Sequence, residues 1–387
     1  MKLLVLITFG VLAALAEESD LLKQFSVGNQ QFTADVYKEL LKVTSGNILV
    51  CPISAQIILA LTQAGARGET AKQMSSGLRL PESSEKIQAI FNALTKDFRN
   101  GQGYALNSAN RIYVKNDFPI NQQFKNVAVN VFDADILNID FSKNKEAASR
   151  INKWVSEKTK DNIKDLVAPG DINGATRAVL VNTLFFQANW RNAFEKYSTT
   201  KQPFYLNANE HVEVDMMTQT SFFKYYEWSE LDAKVLEMPY VGNDVSMTFV
   251  LPNEKDGLHR IEENLEKVFE SHQYTAIDVA VSIPKFKVQT TIRLIPILKT
   301  LGIEDAFTGK ADFSGLGPGG LQIDQVIQKN FVEVNENGTK AASATAVAAG
   351  LSAFPPPARA TFVADHPFFY YIKKGNTVLF AGSVKEL

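Results

Sequence analysis

Cysteine is almost absent from this chain. Of 387 residues only Cys51 carries a thiol, so no intrachain disulfide can form and stability has to come from the core. Cys51 follows Ile48-Leu49-Val50 and precedes Pro52, an apolar setting that predicts a buried, inert sulfur. Histidine is scarce as well. His211, His259, His272 and His366 stand at no metal-binding spacing to one another or to Cys51, and there is no H-E-x-x-H and no G-x-S-x-G. No metal and no cofactor is expected. Net charge is missing too: Lys+Arg 40 against Asp+Glu 42 leaves −2, with no long basic run, which argues against a nucleic-acid or anionic-membrane partner. Gly315-Leu316-Gly317-Pro318-Gly319-Gly320 matches G-x-G-x-x-G in letters only. It follows Ala311-Asp312-Phe313-Ser314 instead of an apolar strand and leads into alternating Leu321-Gln322-Ile323 instead of a helix. Pro318 also removes an amide that a phosphate cradle would use, so a plain loop is expected. Carboxylates are plentiful but scattered. No catalytic constellation can be assembled, and an enzyme is not expected.

Long apolar runs are confined to the start. Lys2 supplies a positive end, Leu3 to Leu12 an apolar centre and Ala14-Leu15-Ala16 a small-x-small cleavage signature. The run falls short of the roughly 20 residues that a membrane span needs. Residues 1–16 are therefore expected to be a signal peptide, removed before Glu17, leaving a secreted chain with no membrane contact and a single domain over 17–387.

What is present is ordinary globular material, 45% hydrophobic, enough to bury a sizeable core. Helical periodicity marks residues 29–43, a helix opening at Pro52-Ile53-Ser54 and another restarting after Gly68, then 84–99, 145–166, 257–270 and about 291–301. Strands are expected at Ile48 to Val50, Ala109 to Val114, Lys234 to Met238, Val245 to Leu251, Val279 to Ile283 and Leu321 to Asn335. A β-hairpin is expected at Phe368 to Phe380. Ala178 to Phe186 is apolar on both parities, which predicts a central strand covered on both faces. Helices crowd the first 170 residues and strands the rest, so the fold class is α+β.

One stretch resists this scheme. From Glu336 to Ala349 the residues are small, with Thr339, Ala341, Ser343, Thr345, Val347 and Ala349 on one face at period two and Lys340 on the other. Read alone it is an Ala-rich linker, a weak helix, or a strand waiting for a sheet.

Several ordered motifs bear on this choice. They are Asn47-Ile48 with Pro52-Ile53-Ser54, Gly65-Ala66-Arg67-Gly68-Glu69-Thr70, Asn182-Thr183-Leu184-Phe185-Phe186 with Trp190 and Phe194, and Glu237-Met238-Pro239-Tyr240. Ile283-Pro284-Lys285-Phe286, Leu301-Gly302-Ile303, Asp305-Ala306-Phe307, Glu333-Val334-Asn335-Glu336 with Gly338-Thr339, Pro367-Phe368 and Phe380-Ala381-Gly382 follow in turn. In this order and spacing the chain resembles the serpins over essentially all of residues 17–387. The resemblance implies a large central β-sheet, two smaller sheets, about nine helices and an exposed reactive loop, here about 336–361, that enters the central sheet as a strand once cut. It implies a monomer that traps a target endopeptidase as a 1:1 covalent acyl-enzyme complex. Glu336, Gly338, Thr339, Ala341, Ser343 and Thr345 fall on the hinge, and Ser54, Asn182 and Gln328 on the polar cluster where the sheet opens. The scissile bond falls at Ser352-Ala353, with cleavage after Leu351 or Phe354 as alternatives.

The residues agree with what is implied. An inserting strand needs side chains that do not overpack a filled core, and eleven residues at about 3.3 Å each reach about 36 Å. No Arg or Lys lies between Lys340 and Arg359, which argues against a trypsin-like target, whose pocket needs a cationic side chain. Ala349 to Ala353 suits an elastase- or chymotrypsin-like serine protease, and Leu351 suits a papain-like cysteine protease equally. A non-inhibitory serpin acting as carrier, storage protein or chaperone is the alternative; such members tend to carry Pro, bulky or charged hinge residues. Three positions depart from the family. Cys51 stands where Ser is frequent, Gln328 where many members have His, and Asn337 where a charge is common. Asn337-Gly338-Thr339 is also a glycosylation sequon, and a glycan there is expected to obstruct insertion.

Overall fold

The strand expected to be covered on both faces runs from Ala178 to Asn189, and every residue from Ala178 to Phe186 is buried. It lies in a computed structural model that describes residues 2–99, 101, 103–207, 209–339 and 358–387. The hinge positions Ala341, Ser343 and Thr345 and the reactive-bond positions Leu351, Ser352, Ala353 and Phe354 lie outside the described residues.

In chain order the elements begin with α1 (Lys2–Leu41), β1 (Ile48–Val50), α2 (Pro52–Ala64), α3 (Gly68–Gly77), α4 (Ser84–Arg99), β2 (Tyr104–Lys115), α5 (Gln122–Phe132), β3 (Asp135–Ile139) and α6 (Asn144–Lys158). There follow β4 (Ala178–Asn189), β5 (Thr199–Tyr205), β6 (His211–Trp228), β7 (Ala233–Pro239), β8 (Val245–Pro252), α7 (Leu258–Glu263) and α8 (Leu265–Val268). The chain ends with β9 (Thr275–Pro284), β10 (Phe286–Arg293), α9 (Ile295–Thr300), β11 (Gln325–Asn335), β12 (Gly338–Thr339), β13 (Ala360–Val363), β14 (Phe368–Lys374) and β15 (Thr377–Val384).

Three expected helices are shorter or broken. The one over 145–166 stops at Lys158, because Lys160, Asp161 and Asp165 take positive φ. The one over 257–270 divides at Asn264, which has φ −117° and ψ 33°. The one at 291–301 begins only at Ile295, since Thr291 to Arg293 pair with Lys329 to Ile327 in the sheet. Tertiary pairing overrides local propensity in that case. The Gly315–Gly320 stretch is a loop, as expected.

Two sheets form. One holds six strands in the order β10-β11-β12-β4-β2-β3, and the other nine, β1-β15-β14-β8-β7-β6-β9-β13 with β5 on β6. The two smaller sheets that the resemblance implies run together here, because the 18-residue β6 pairs with β5, β7 and β9 along its length. The six-stranded sheet is the central one. One of its faces packs Leu180, Leu184, Phe186, Val326 and Val332 into the main core. The other packs Val179, Val181, Phe185, Ile327 and Phe331 against Ala147, Ala148, Ile151 and Val155 of α6. Covering on both sides is why β4 reads as an unbroken apolar run. Helix α1 is continuous from Lys2. Among the described residues no helix is long and apolar enough to cross a membrane.

Candidate functional site

Two of the residues expected at the hinge, Gly338 and Thr339, sit inside the central sheet. β11 and β4 lie side by side, parallel, from Gln325↔Val179 to Phe331↔Phe185. Beyond Phe331 they part, and Gly338-Thr339 enters between them, antiparallel to both. Thr339 stands opposite Val334 and Ala188, and Gly338 opposite Asn335 and Asn189. Thr339 is fully buried, and its hydroxyl shares a 2.6 Å hydrogen bond with the Tyr240 phenol. Burial pushes the Tyr240 pKa up despite the opposing bond to Thr339, so the phenol stays neutral. Tyr240 stacks on Trp190 with ring centroids 4.4 Å and planes 6° apart, and Trp190 Nε1 donates to the Asn335 carbonyl at 3.1 Å.

Gly338 has φ +148°, and a Cβ there would lie 2.1 Å from the Ala188 carbonyl oxygen. Only glycine meets both conditions. Gly338→Val should therefore expel β12, destabilising the chain by about 2 kcal/mol. Urea unfolding and hydrogen exchange at the Thr339 amide measure this; an unchanged exchange rate would count against the docked hinge.

The turn before it is equally tied down. The Glu336 carbonyl accepts from the Phe194 amide at 2.9 Å and the Asn337 carbonyl from the Trp190 amide at 2.8 Å. The Glu336 carboxylate accepts from Thr199 Oγ1 at 3.0 Å and lies 3.2 Å from Lys285 Nζ. Burial disfavours its charge, but its own backbone amide, the Lys285 and Thr199 hydrogen bonds and the Lys285 charge outweigh that and hold the carboxyl below its ordinary range. A depressed carboxyl contributes stability that is present above the unfolded value of about 4.3 and lost as the pH falls through the lower folded value. Acid titration should accordingly loosen the hinge within that window, read as a change in Trp190 fluorescence. Glu336→Gln should flatten that acid limb, and a limb of undiminished amplitude in that variant would refute the assignment.

Further down the β11–β4 seam a buried amide network clasps the two strands. Asn182 Nδ2 donates to the Ser54 carbonyl at 2.8 Å and to Asn110 Oδ1 in a short contact. Gln328 Nε2 donates to Asn182 Oδ1 at 2.9 Å and to the Cys51 carbonyl at 2.8 Å. Gln328 Oε1 accepts from the Cys51 amide at 3.3 Å and from Asn330 Nδ2 at 3.0 Å. The seam is thus joined across β4 and β11 and pinned to the start of α2. Pro52 opens that helix at a position where a missing amide costs nothing. Cys51 joins through its backbone, so the serine hydroxyl that family members often have there is not needed for these contacts. Its buried thiol has a raised pKa, chiefly from desolvation. Gln328 makes four bonds where an imidazole has two nitrogens, and none of them titrates.

The structure thus brings Ser54, Asn182 and Gln328 together, with Ser54 engaged through its carbonyl, and it seats Glu336, Gly338 and Thr339 at the mouth of the same seam. Asn110, Asn330, Thr199, Lys285, Trp190 and Tyr240 complete the arrangement and were not foreseen as site residues. For Asn110 a signal existed. It shares parity with the buried Ile112 and Val114, so a polar residue on an apolar strand face had to find a partner; it pairs with Asn182 in register. Thr199 had none. At the far end of the loop, β13 pairs in parallel with β9 from Ala360↔Val279 to Val363↔Ser282, which anchors the returning chain at a sheet edge.

The family model described as Serpin (serine protease inhibitor) matches residues 27–387. The chain is 37% identical over 363 residues to serine protease inhibitor 42Dd of Drosophila melanogaster, covering 92% of this chain and 95% of that protein. It is 36% identical to the human leukocyte elastase inhibitor, covering 93% and 99%. Among solved structures, Serpin48 of the insect Tenebrio molitor, described as a highly specific serpin, superposes with a TM-score of 0.89 at 39% identity, covering 94% of this chain and 98% of that one. A strand pair opened at one end by its own hinge, in a chain that matches the family model almost throughout, makes this protein a member of the serpin family.

Proposed function

We propose that this chain is a secreted suicide inhibitor of endopeptidases. The protease nucleophile attacks the carbonyl of Ser352, the bond to Ala353 breaks, and an ester or thioester joins enzyme and inhibitor while Ala353 leaves as a free amine. The freed loop then inserts between β11 and β4 and carries the bound enzyme with it.

The observation that supports this best is the register of Gly338 and Thr339. Continued, it sets residues 342–348 opposite the seven pairs Gln325↔Val179 to Phe331↔Phe185. Side chains directly across a sheet share a face. Ala341, Ser343 and Thr345 then join Val332, Asn330 and Gln328 on the main-core face. Ala342, Ala344, Ala346 and Ala348 fall on the face covered by α6, and Lys340 meets Glu333 and Gln187 at its half-buried start. Every residue in the series is small where the destination is filled, and the one charge lands beside an opposite one.

Incubation with pancreatic elastase, chymotrypsin and papain tests the reading. A denaturant-stable 1:1 complex with a serine protease or with papain is expected, together with a released C-terminal peptide whose mass places the cut at Ser352-Ala353. Cleavage by all three with no complex would overturn the inhibitor reading in favour of a non-inhibitory serpin. Secretion is checked separately: protein recovered from the medium should begin at Glu17.

A further inference from the structure

We propose that Asn337 is an N-glycan acceptor filled before the hinge docks, and that its glycan sits on the turn outside the sheet and leaves loop insertion open. The proposal rests on the secretion reading for access to the modifying machinery. Asn337-Gly338-Thr339 is the sole N-x-S/T sequence in the chain.

Sequence alone put Asn337 in the inserting segment, where a glycan would block the sheet. The register moves it out. Thr339 already stands opposite Val334 and Ala188, in line with the rest of the seam. Insertion therefore extends β12 from its far end and leaves the Glu336-Asn337 turn where it is. That turn is held to the protein by carbonyl contacts to the Trp190 and Phe194 amides. The Asn337 amide donates to Asn335 Oδ1 at 3.0 Å. The Asn337 side chain is only half-buried and has no hydrogen-bond partner among the described residues, so Nδ2 is free to carry a substituent while the backbone stays fixed.

The rest of the sequon is closed. Thr339 is fully buried with its hydroxyl on Tyr240, and Gly338 packs its Cα against the Ala188 carbonyl. The folded hinge cannot be lifted out and offered to a transferase that must read the Thr hydroxyl. Transfer has to precede docking, and the order of synthesis permits it. When Asn337 emerges, β14 and β15 are still to come, and they are interior strands that join β1 to the rest of the nine-stranded sheet. The step moves an oligosaccharide from a polyprenyl diphosphate. A bond forms between the anomeric carbon and Nδ2, the anomeric C–O bond breaks, and the Nδ2 proton ends on the departing diphosphate.

The test uses the full chain secreted from eukaryotic cells behind its own leader and, in parallel, behind an unrelated one, each with an Asn337→Gln counterpart. Intact mass before and after peptide N-glycosidase should show one glycan on Asn337, absent from Asn337→Gln. The glycosylated and unglycosylated forms should yield closely similar amounts of complex with elastase or papain. Loop cleavage should also raise their melting temperatures equally, since an added strand stabilises both. Secreted protein without glycan would overturn the proposal. So would a glycosylated form that is only cleaved, or gains no thermal stability on cleavage, while Asn337→Gln traps and gains it. Glycan addition only behind the unrelated leader would sink the secretion reading and uphold the site. Equal thermal gains with no trapping by either form would uphold the site and count against the inhibitor reading.

Discussion

Thr345→Arg is expected to leave a chain that the protease cuts but that does not trap it. Continuing the β12 register brings residue 345 opposite Gln328 and Asn182, where both neighbours are buried and already satisfied by amides. A threonine hydroxyl can join that network. A guanidinium would be buried with no carboxylate among the residues that form it, at a cost of several kcal/mol. Cleavage at Ser352-Ala353 would proceed as before, because the substitution lies outside the peptide that the protease reads. Insertion would stall, and deacylation would win the race. The number of inhibitor molecules consumed per protease trapped should rise by about tenfold or more, since each 1.4 kcal/mol on the insertion step is about a factor of ten. Titration of residual protease activity against inhibitor measures this directly. An unchanged stoichiometry would refute insertion in this register. Thr345→Ser, which keeps the hydroxyl, should behave as the parent.

The second large effect is expected from Asn182→Ala. This change removes one hydrogen bond each from the Ser54 carbonyl, Asn110 Oδ1 and Gln328 Nε2, all in buried residues. Each buried bond lost costs about 1–3 kcal/mol, so a loss of about 3–5 kcal/mol in unfolding free energy is expected, read by denaturant titration. The loss should be selective. With the seam unclasped, separation of β11 from β4 becomes easier, so the uncleaved variant should lose inhibitory activity on storage faster than the parent. A variant as stable and as long-lived as the parent would show that the network is incidental. Asn110→Ala, which removes one acceptor and leaves Gln328 and Ser54 joined to Asn182, should show a smaller loss of the same kind.

Much of this molecule was legible in its residues. The double-sided apolar run of β4 announced a covered central strand because burial on both faces leaves no polar parity. The hairpin of β14 and β15 announced itself as two apolar runs on either side of the turn Lys373-Lys374-Gly375-Asn376. The small face from Thr339 onward left linker, weak helix and strand open, and its residues past Thr339 lie outside those described. The ends of α6, α7 and α9 were not legible. Helical periodicity records which face is buried, but it does not record where a neighbouring strand captures the backbone, as β11 captures Thr291 to Arg293.

The site divides along the same line. Composition and order along the chain were enough to determine that a lone cysteine forms no intrachain disulfide and that this is an α+β chain of serpin type. The first follows from residue identity, the fold class from local period, and the family from the order and spacing of the motifs that carry the resemblance. Only the tertiary structure decided where the hinge stops being loop. A strand's register is set by partners more than a hundred residues away, here Ala188 and Asn189 as well as the nearby Val334, and a shift of one residue would exchange the two faces of everything that follows. That contact seated Thr339 on Tyr240 and left Glu336-Asn337 in the turn before the strand, tied to Trp190 and Phe194.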